Sequence, residues 1–135
     1  MANLTITPAD VGVNSSATQT RIVQVGEAVS QAQPAFLDGS KYYQAVANDT
    51  EAKAAAVGVF MTAAALDGYA VIAMVGPVDL GATLTVGEVY VVSATKGSIA
   101  PIADLTTGDY VTILGVASSA SSLELNPQVS GIAKP

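Results

Sequence analysis

The chain has no cysteine, no histidine and no tryptophan among its 135 residues. Without cysteine there is no disulfide framework and no thiolate nucleophile, and the redox compartment leaves no trace. Without histidine the usual zinc, copper and haem ligand sets are missing, and no Ser-His-Asp triad can form. Charge is scarce as well. Five basic and 11 acidic residues make up 12% of the chain, against about 25% in an ordinary soluble domain. The cations Arg21, Lys41, Lys53, Lys96 and Lys134 are widely separated, and the net charge is −6. Binding a phosphate backbone takes several close cations, so a nucleic-acid partner is not expected.

Paired carboxylates are the only catalytic vocabulary left: Asp49 with Glu51, and Asp104 with Asp109. Such pairs can do acid–base work or hold Ca²⁺. Both lie in turn-like segments, where Asp side chains hydrogen-bond the local backbone. Glycine-rich phosphate loops and the Gly-x-Ser-x-Gly elbow are absent. Lys96-Gly97-Ser98 lacks the upstream loop of a phosphate site and reads as an ordinary turn. No metal or cofactor site is expected, and the chain reads as a non-enzyme. Tyr42, Tyr43, Tyr69, Tyr90 and Tyr110 either stack on a sugar or pack in a core or interface; packing is the simpler reading.

What the sequence does contain is β-forming material. Of 68 hydrophobic residues 24 are Ala and 18 are Val, against 9 Leu; Val, Ile and Thr together number 37. β-Branched side chains are stiff at χ1 and fit a pleated surface. The length suits one domain, which at this size buries about two-thirds of its unfolded surface. Ser, Thr, Asn and Gln number 33, so an uncharged polar surface is possible; a surface partly covered by protein partners is the sharper reading.

Residues 1–20 read as an extended N-terminal arm or a frayed terminus, with isolated apolar residues (Leu4, Ile6, Val11, Val13) and a polar run over 14–20. The arm lacks the basic and apolar blocks of a signal peptide. Residues 21–125 read as a single β-rich domain. Its first strand, Ile22 to Val25, ends at Gly26. Ala35-Phe36-Leu37 and Lys41 to Val46 flank Asp38-Gly39, a type I′ hairpin signal. One short helix is expected near 49–56, capped by Asn48 or Asp49. Ala54 to Val78 is nearly all apolar, but Asp67-Gly68 interrupts it too early for a membrane span. Two strands joined by a turn, apolar on both faces, fit better, and belong in a sheet interior or at an oligomer seam. Gly76-Pro77 punctuates the middle. Strands follow over 88–94 and 109–116, with a short edge strand around Pro101 between them. Leu123-Glu124-Leu125 adds one more short strand, and 126–135 reads as an irregular tail.

The chain also says something twice. Phe36, a turn at Gly39, the acidic turn over 49–51 and Val57-Gly58-Val59 are echoed by Tyr90, Gly97, the acidic turn over 104–109 and Leu114-Gly115-Val116. Phe36 to Gly58 spans 22 residues and Tyr90 to Gly115 spans 25. The fold class expected is therefore mainly β, a small β-barrel or β-sandwich built from two similar β-units.

Several segments carry a family resemblance over about residues 22–125: Gly26-Glu27-Ala28-Val29 leading to Pro34-Ala35-Phe36-Leu37, Lys41-Tyr42-Tyr43, the Ala-rich 52–58, Val86 to Ser93, Gly97 to Pro101, Thr107 to Val111, and Ile113 to Ala117. They resemble small bacteriophage virion proteins, above all capsid decoration (cement) proteins and related head-fibre or knob modules. The likeness lies in packing and turn patterns, not in a catalytic signature. It implies a homotrimer on the capsid exterior, made in the host cytoplasm, that binds the major capsid protein and stabilises the icosahedral shell. It also implies that the arm, through Leu4, Ile6, Val11 and Val13, makes capsid or intersubunit contacts. Neither nucleic acid nor membrane is an expected partner. The alternative is a receptor- or carbohydrate-binding knob of a phage fibre, which requires exposed tyrosines in a shallow groove.

Overall fold

A computed structural model describes residues 3–13 and 16–135. Ten strands form one sheet: β1 (Val11–Val13), β2 (Gln19–Gln24), β3 (Gln33–Asp38), β4 (Lys41–Gln44), β5 (Gly58–Phe60), β6 (Tyr69–Leu80), β7 (Val89–Val92), β8 (Ile99–Pro101), β9 (Tyr110–Ala117) and β10 (Ser122–Ala133). The main path runs β4-β3-β5-β6-β10-β9-β7-β8, and β1 and β2 both pair with β6. The path reads the same from either end once β3–β6 is matched to β7–β10. In each unit a hairpin is followed by a helical turn, a third strand returning to the first strand's open edge, and a fourth pairing with the third. The two units join through the antiparallel β6–β10 pair. This is the mainly β, two-unit architecture expected from the repeat.

The register refines the alignment of the units. Gly58 lies opposite Ala35 and Gly115 opposite Tyr90. Phe36 is therefore the counterpart of Val91, not of Tyr90.

The doubly apolar segments serve two cores of one molecule. On β5, Val59 joins a large cluster with Phe36, Ala73, Val91, Leu114 and Leu123, while Phe60 joins a second with Val23, Val25, Tyr42 and Ile72. Successive side chains on a strand point to opposite faces, so a strand between two cores must be apolar throughout. Val59, Phe60, Ile72 and Ala73 are all fully buried within a single chain. That burial removes them as an oligomer seam. Each Val, Ile or Phe so placed contributes about 1.5–3 kcal/mol. Around the second core the strands β2-β6-β5-β3-β4 curl until a parallel bridge joins Val25 to Tyr42, nearly closing a small barrel.

Several boundaries differ from expectation for local reasons. Gly76-Pro77 does not end a strand. β6 runs through it, paired with β2 and β5 on one side of the dipeptide and with β1 and β10 from Gly76 onward. Gly76 adopts φ 118° there, and a Cβ would sit 2.6 Å from the Thr18 backbone. The hairpin turn is Gly39-Ser40, because Asp38 pairs with Lys41. Only its first central residue has positive φ, the type II′ pattern rather than type I′. The helix α1 is a single turn, Glu51–Ala54, capped by Thr50, whose Oγ1 accepts from the Lys53 N–H at 3.2 Å. Asp49 is drawn instead to the Lys53 ammonium at 3.0 Å. The tail expected to be irregular is strand: β10 continues to Ala133 beside β9. Pro101 does lie in an edge strand, β8.

Candidate functional site

The arm is laid on its own domain. The Leu4 N–H donates to Ile99 O at 2.8 Å and the Thr7 N–H to Gly81 O at 2.6 Å. Leu4, Ile6 and Val11 are half-buried against the large core. β1 then pairs along the far end of β6, with Val13 opposite Val78. Gly81 permits this close crossing: a Cβ there would lie 2.4 Å from Thr7 O. Of the four candidate contact residues, Val13 alone is counted among the exposed large apolar side chains, at 43%. Residues 1, 2, 14 and 15 of the arm lie outside the described residues.

The carboxylate pairs resolve into turns. Asp109, 5% exposed, accepts from both the N–H and the hydroxyl of Thr106, at 2.9 and 3.2 Å. It closes the turn that leads into β9. Among the described residues no group of three or more Asp, Glu, His or Cys side chains is placed to hold a metal ion. No helix among them is long and apolar enough to cross a membrane.

The tyrosines divide by environment. Tyr42 and Tyr90 are core residues, and the Tyr90 hydroxyl accepts from the Thr85 N–H at 3.0 Å. Tyr43 is half-buried and tilts against Phe36 with ring centroids 5.8 Å apart. It lines a cleft of about 430 Å³. Tyr69 is 67% exposed. Near it the Lys41 ammonium contacts the Asp67 carboxylate at 2.6 Å. That hydrogen bond and the carboxylate charge raise the Lys41 pKa above its ordinary 10.5.

The surface that sequence reasoning overlooked is a strip along β2 and β6. Ile22 is 74% exposed and sits directly opposite half-buried Val71; Tyr69 lies two pairs further along, opposite Gln24. Val75, 43% exposed, pairs with Gln19 at the other end. Among the described residues no strand pairs with the outer edge of β2 across Gln19–Gln24. An unpaired edge beside exposed apolar side chains is a template for another protein. The signal in the sequence is Ile22 itself, a large apolar residue placed between Arg21 and Val23, whose inward alternation belongs to Val23.

No protein-family model matches this chain, and no curated protein matches it.

Proposed function

We propose that this chain is a structural, non-catalytic virion protein that binds the outer surface of an icosahedral phage capsid and braces it by bridging capsid subunits, as a trimer. The observation that carries the reading is the β2–β6 strip: a free strand edge and exposed Ile22 and Tyr69, in a chain of which only 12% is charged. Covering such a strip releases water from apolar area and pairs backbone groups that water otherwise solvates. A stable interface buries roughly 1,200–2,000 Å² in all, so the strip supplies its centre and the polar residues around it the rim. Bracing needs no chemistry. Area buried between neighbouring capsid subunits resists the pressure of packaged genome because separating them re-exposes that area.

The arm has a different part in this account from the one first expected. Leu4, Ile6 and Val11 already pack on their own core, so removing residues 1–20 would uncover that core as well as any contact. Val13 is the arm residue offered to a partner.

The test is co-sedimentation with shells of the accompanying major capsid protein. Wild type pellets with the shells saturably, and Ile22→Asp, which leaves both cores untouched, stays in the supernatant. Undiminished pelleting of that variant removes the strip from the mechanism. A second reading, a receptor-binding knob, is favoured by one observation, the cleft beside Tyr43.

A further inference from the structure

We propose that the cleft beside Tyr43 binds a neutral saccharide unit. The cleft, about 430 Å³, falls within the range of small-molecule sites, roughly 300–1,000 Å³. It lies where the two units meet: Tyr43 and Asp38 come from the first hairpin, Glu27 from the segment after β2, Lys53 from the helical turn and Asp49 from the bend before it, and Lys96 from the second unit's hairpin turn.

The floor is aromatic and fixed. Tyr43 packs over the backbone of Gly26 so closely that a Cβ there would fall 2.2–2.4 Å from three atoms of its phenol group. Phe36 supports it from across the strand pair. A ring held this way loses little freedom when something stacks on it.

The charge inventory selects the ligand. Both cations at the cleft already have carboxylate partners: Lys96 meets Glu27 at 2.6 Å and Lys53 meets Asp49 at 3.0 Å. Asp38 adds a third carboxylate to the lining. Three carboxylates and two ammonium groups leave the cleft slightly negative, which disfavours phosphate and other anions. An apolar ligand would strand these polar groups without water. A sugar satisfies them, since each hydroxyl donates to a carboxylate and accepts from an ammonium. Its apolar C–H face meets the tyrosine ring.

This inference rests on and deepens the receptor-binding reading, and it stands apart from the capsid reading, because none of the cleft residues belongs to the β2–β6 strip. The experiment is a titration of the full-length, isotope-labelled protein with glucose, galactose, mannose and N-acetylglucosamine, followed by NMR chemical shifts. The expected result is saturable shifts at Tyr43, Gly26, Glu27, Asp38 and Lys96 with at least one sugar. Asp38→Asn, at an exposed position, weakens that binding about tenfold, the loss of one charge-assisted hydrogen bond. Val86→Ala, at an exposed position outside both the cleft and the strip, leaves it unchanged. No saturable shifts with any of the four sugars, or shifts indifferent to Asp38→Asn, overturns the proposal. Co-sedimentation with shells is measured on the same samples, so loss of one activity is separable from loss of the other.

Discussion

Gly58 and Gly115 hold matching places in the two units, and each is required by a carbonyl passing over it. A Cβ at Gly58 would lie 2.4 Å from Ala73 O, and one at Gly115 would lie 2.2 Å from Glu124 O. Backbone oxygens inside a paired sheet cannot move aside as a side-chain tip can. Gly115→Ala is therefore expected to cost about 1–3 kcal/mol, the usual penalty of overpacking, read as a lower urea midpoint. Gly12→Ala, with nothing within 4 Å of its Cβ, is expected to be neutral or slightly stabilising. Equal effects from the two substitutions contradict this account. These glycines are legible in the sequence as Val-Gly-Val and Leu-Gly-Val, but the reason for them is not, since it is a carbonyl of the following strand that passes over each one only once the strands have packed. Lys41 gives a second test at this scale. Its pKa is raised in the folded state by Asp67, so folding favours its charged form. The resulting stability is present below the ordinary value of 10.5 and disappears as pH rises through the folded-state value. The gap in Tm between wild type and Lys41→Met is expected to hold steady through neutral pH and close in strong alkali. A gap that widens with alkali has the wrong sign for this pair.

At the scale of elements, most strands are legible because one or both faces are buried, and burial writes a pattern. β5 and the first half of β6 read as continuous apolar runs for the physical reason that cores lie on both sides of them. β10 is read only as far as Leu125, because burial stops partway. Ser122, Leu123 and Leu125 are buried, while Asn126, Gln128, Val129 and Ser130 are exposed. With water on one face and Pro127 and Gly131 in the run, the second half has no periodicity to read. β6 is misread at Gly76-Pro77 because the dipeptide normally marks a turn, whereas here partners on either side carry the strand through a bend. Truncation after Leu125 tests the role of the tail. It strips the partner from the first half of β9, where Tyr110, Thr112 and Ile113 pair with Ala133, Val129 and Gln128. A clear drop in Tm is expected; an irregular tail would leave Tm unchanged.

For the whole molecule, the pseudo-symmetric path sets two similar units side by side in one sheet. The two units are locked together by more than the β6–β10 pair. Ala45 and Ala47 of the first unit exchange backbone hydrogen bonds with Gly97, Ser93 and Tyr110 of the second at 2.8–3.0 Å. The molecule that results spends its long apolar strands inside itself, so any partner must use what is left outside. The β2–β6 strip and the Tyr43 cleft are two of those remainders, beside exposed Leu66, Val86, Val129 and Ile132, and apart from Ile22 neither is legible in the sequence, because exposure depends on which face the fold turns outward. Self-association is tested by light scattering at micromolar concentration. A mass three times 13.5 kDa is expected, and a monomer contradicts the trimer.

The central claim is that the protein braces a capsid. Its most direct test is the melting of shells of the accompanying major capsid protein with and without a saturating amount of this protein. The account predicts that decorated shells melt at a higher temperature than bare ones, and that Ile22→Asp removes the difference. Shells that melt identically whether or not the protein is bound would contradict it.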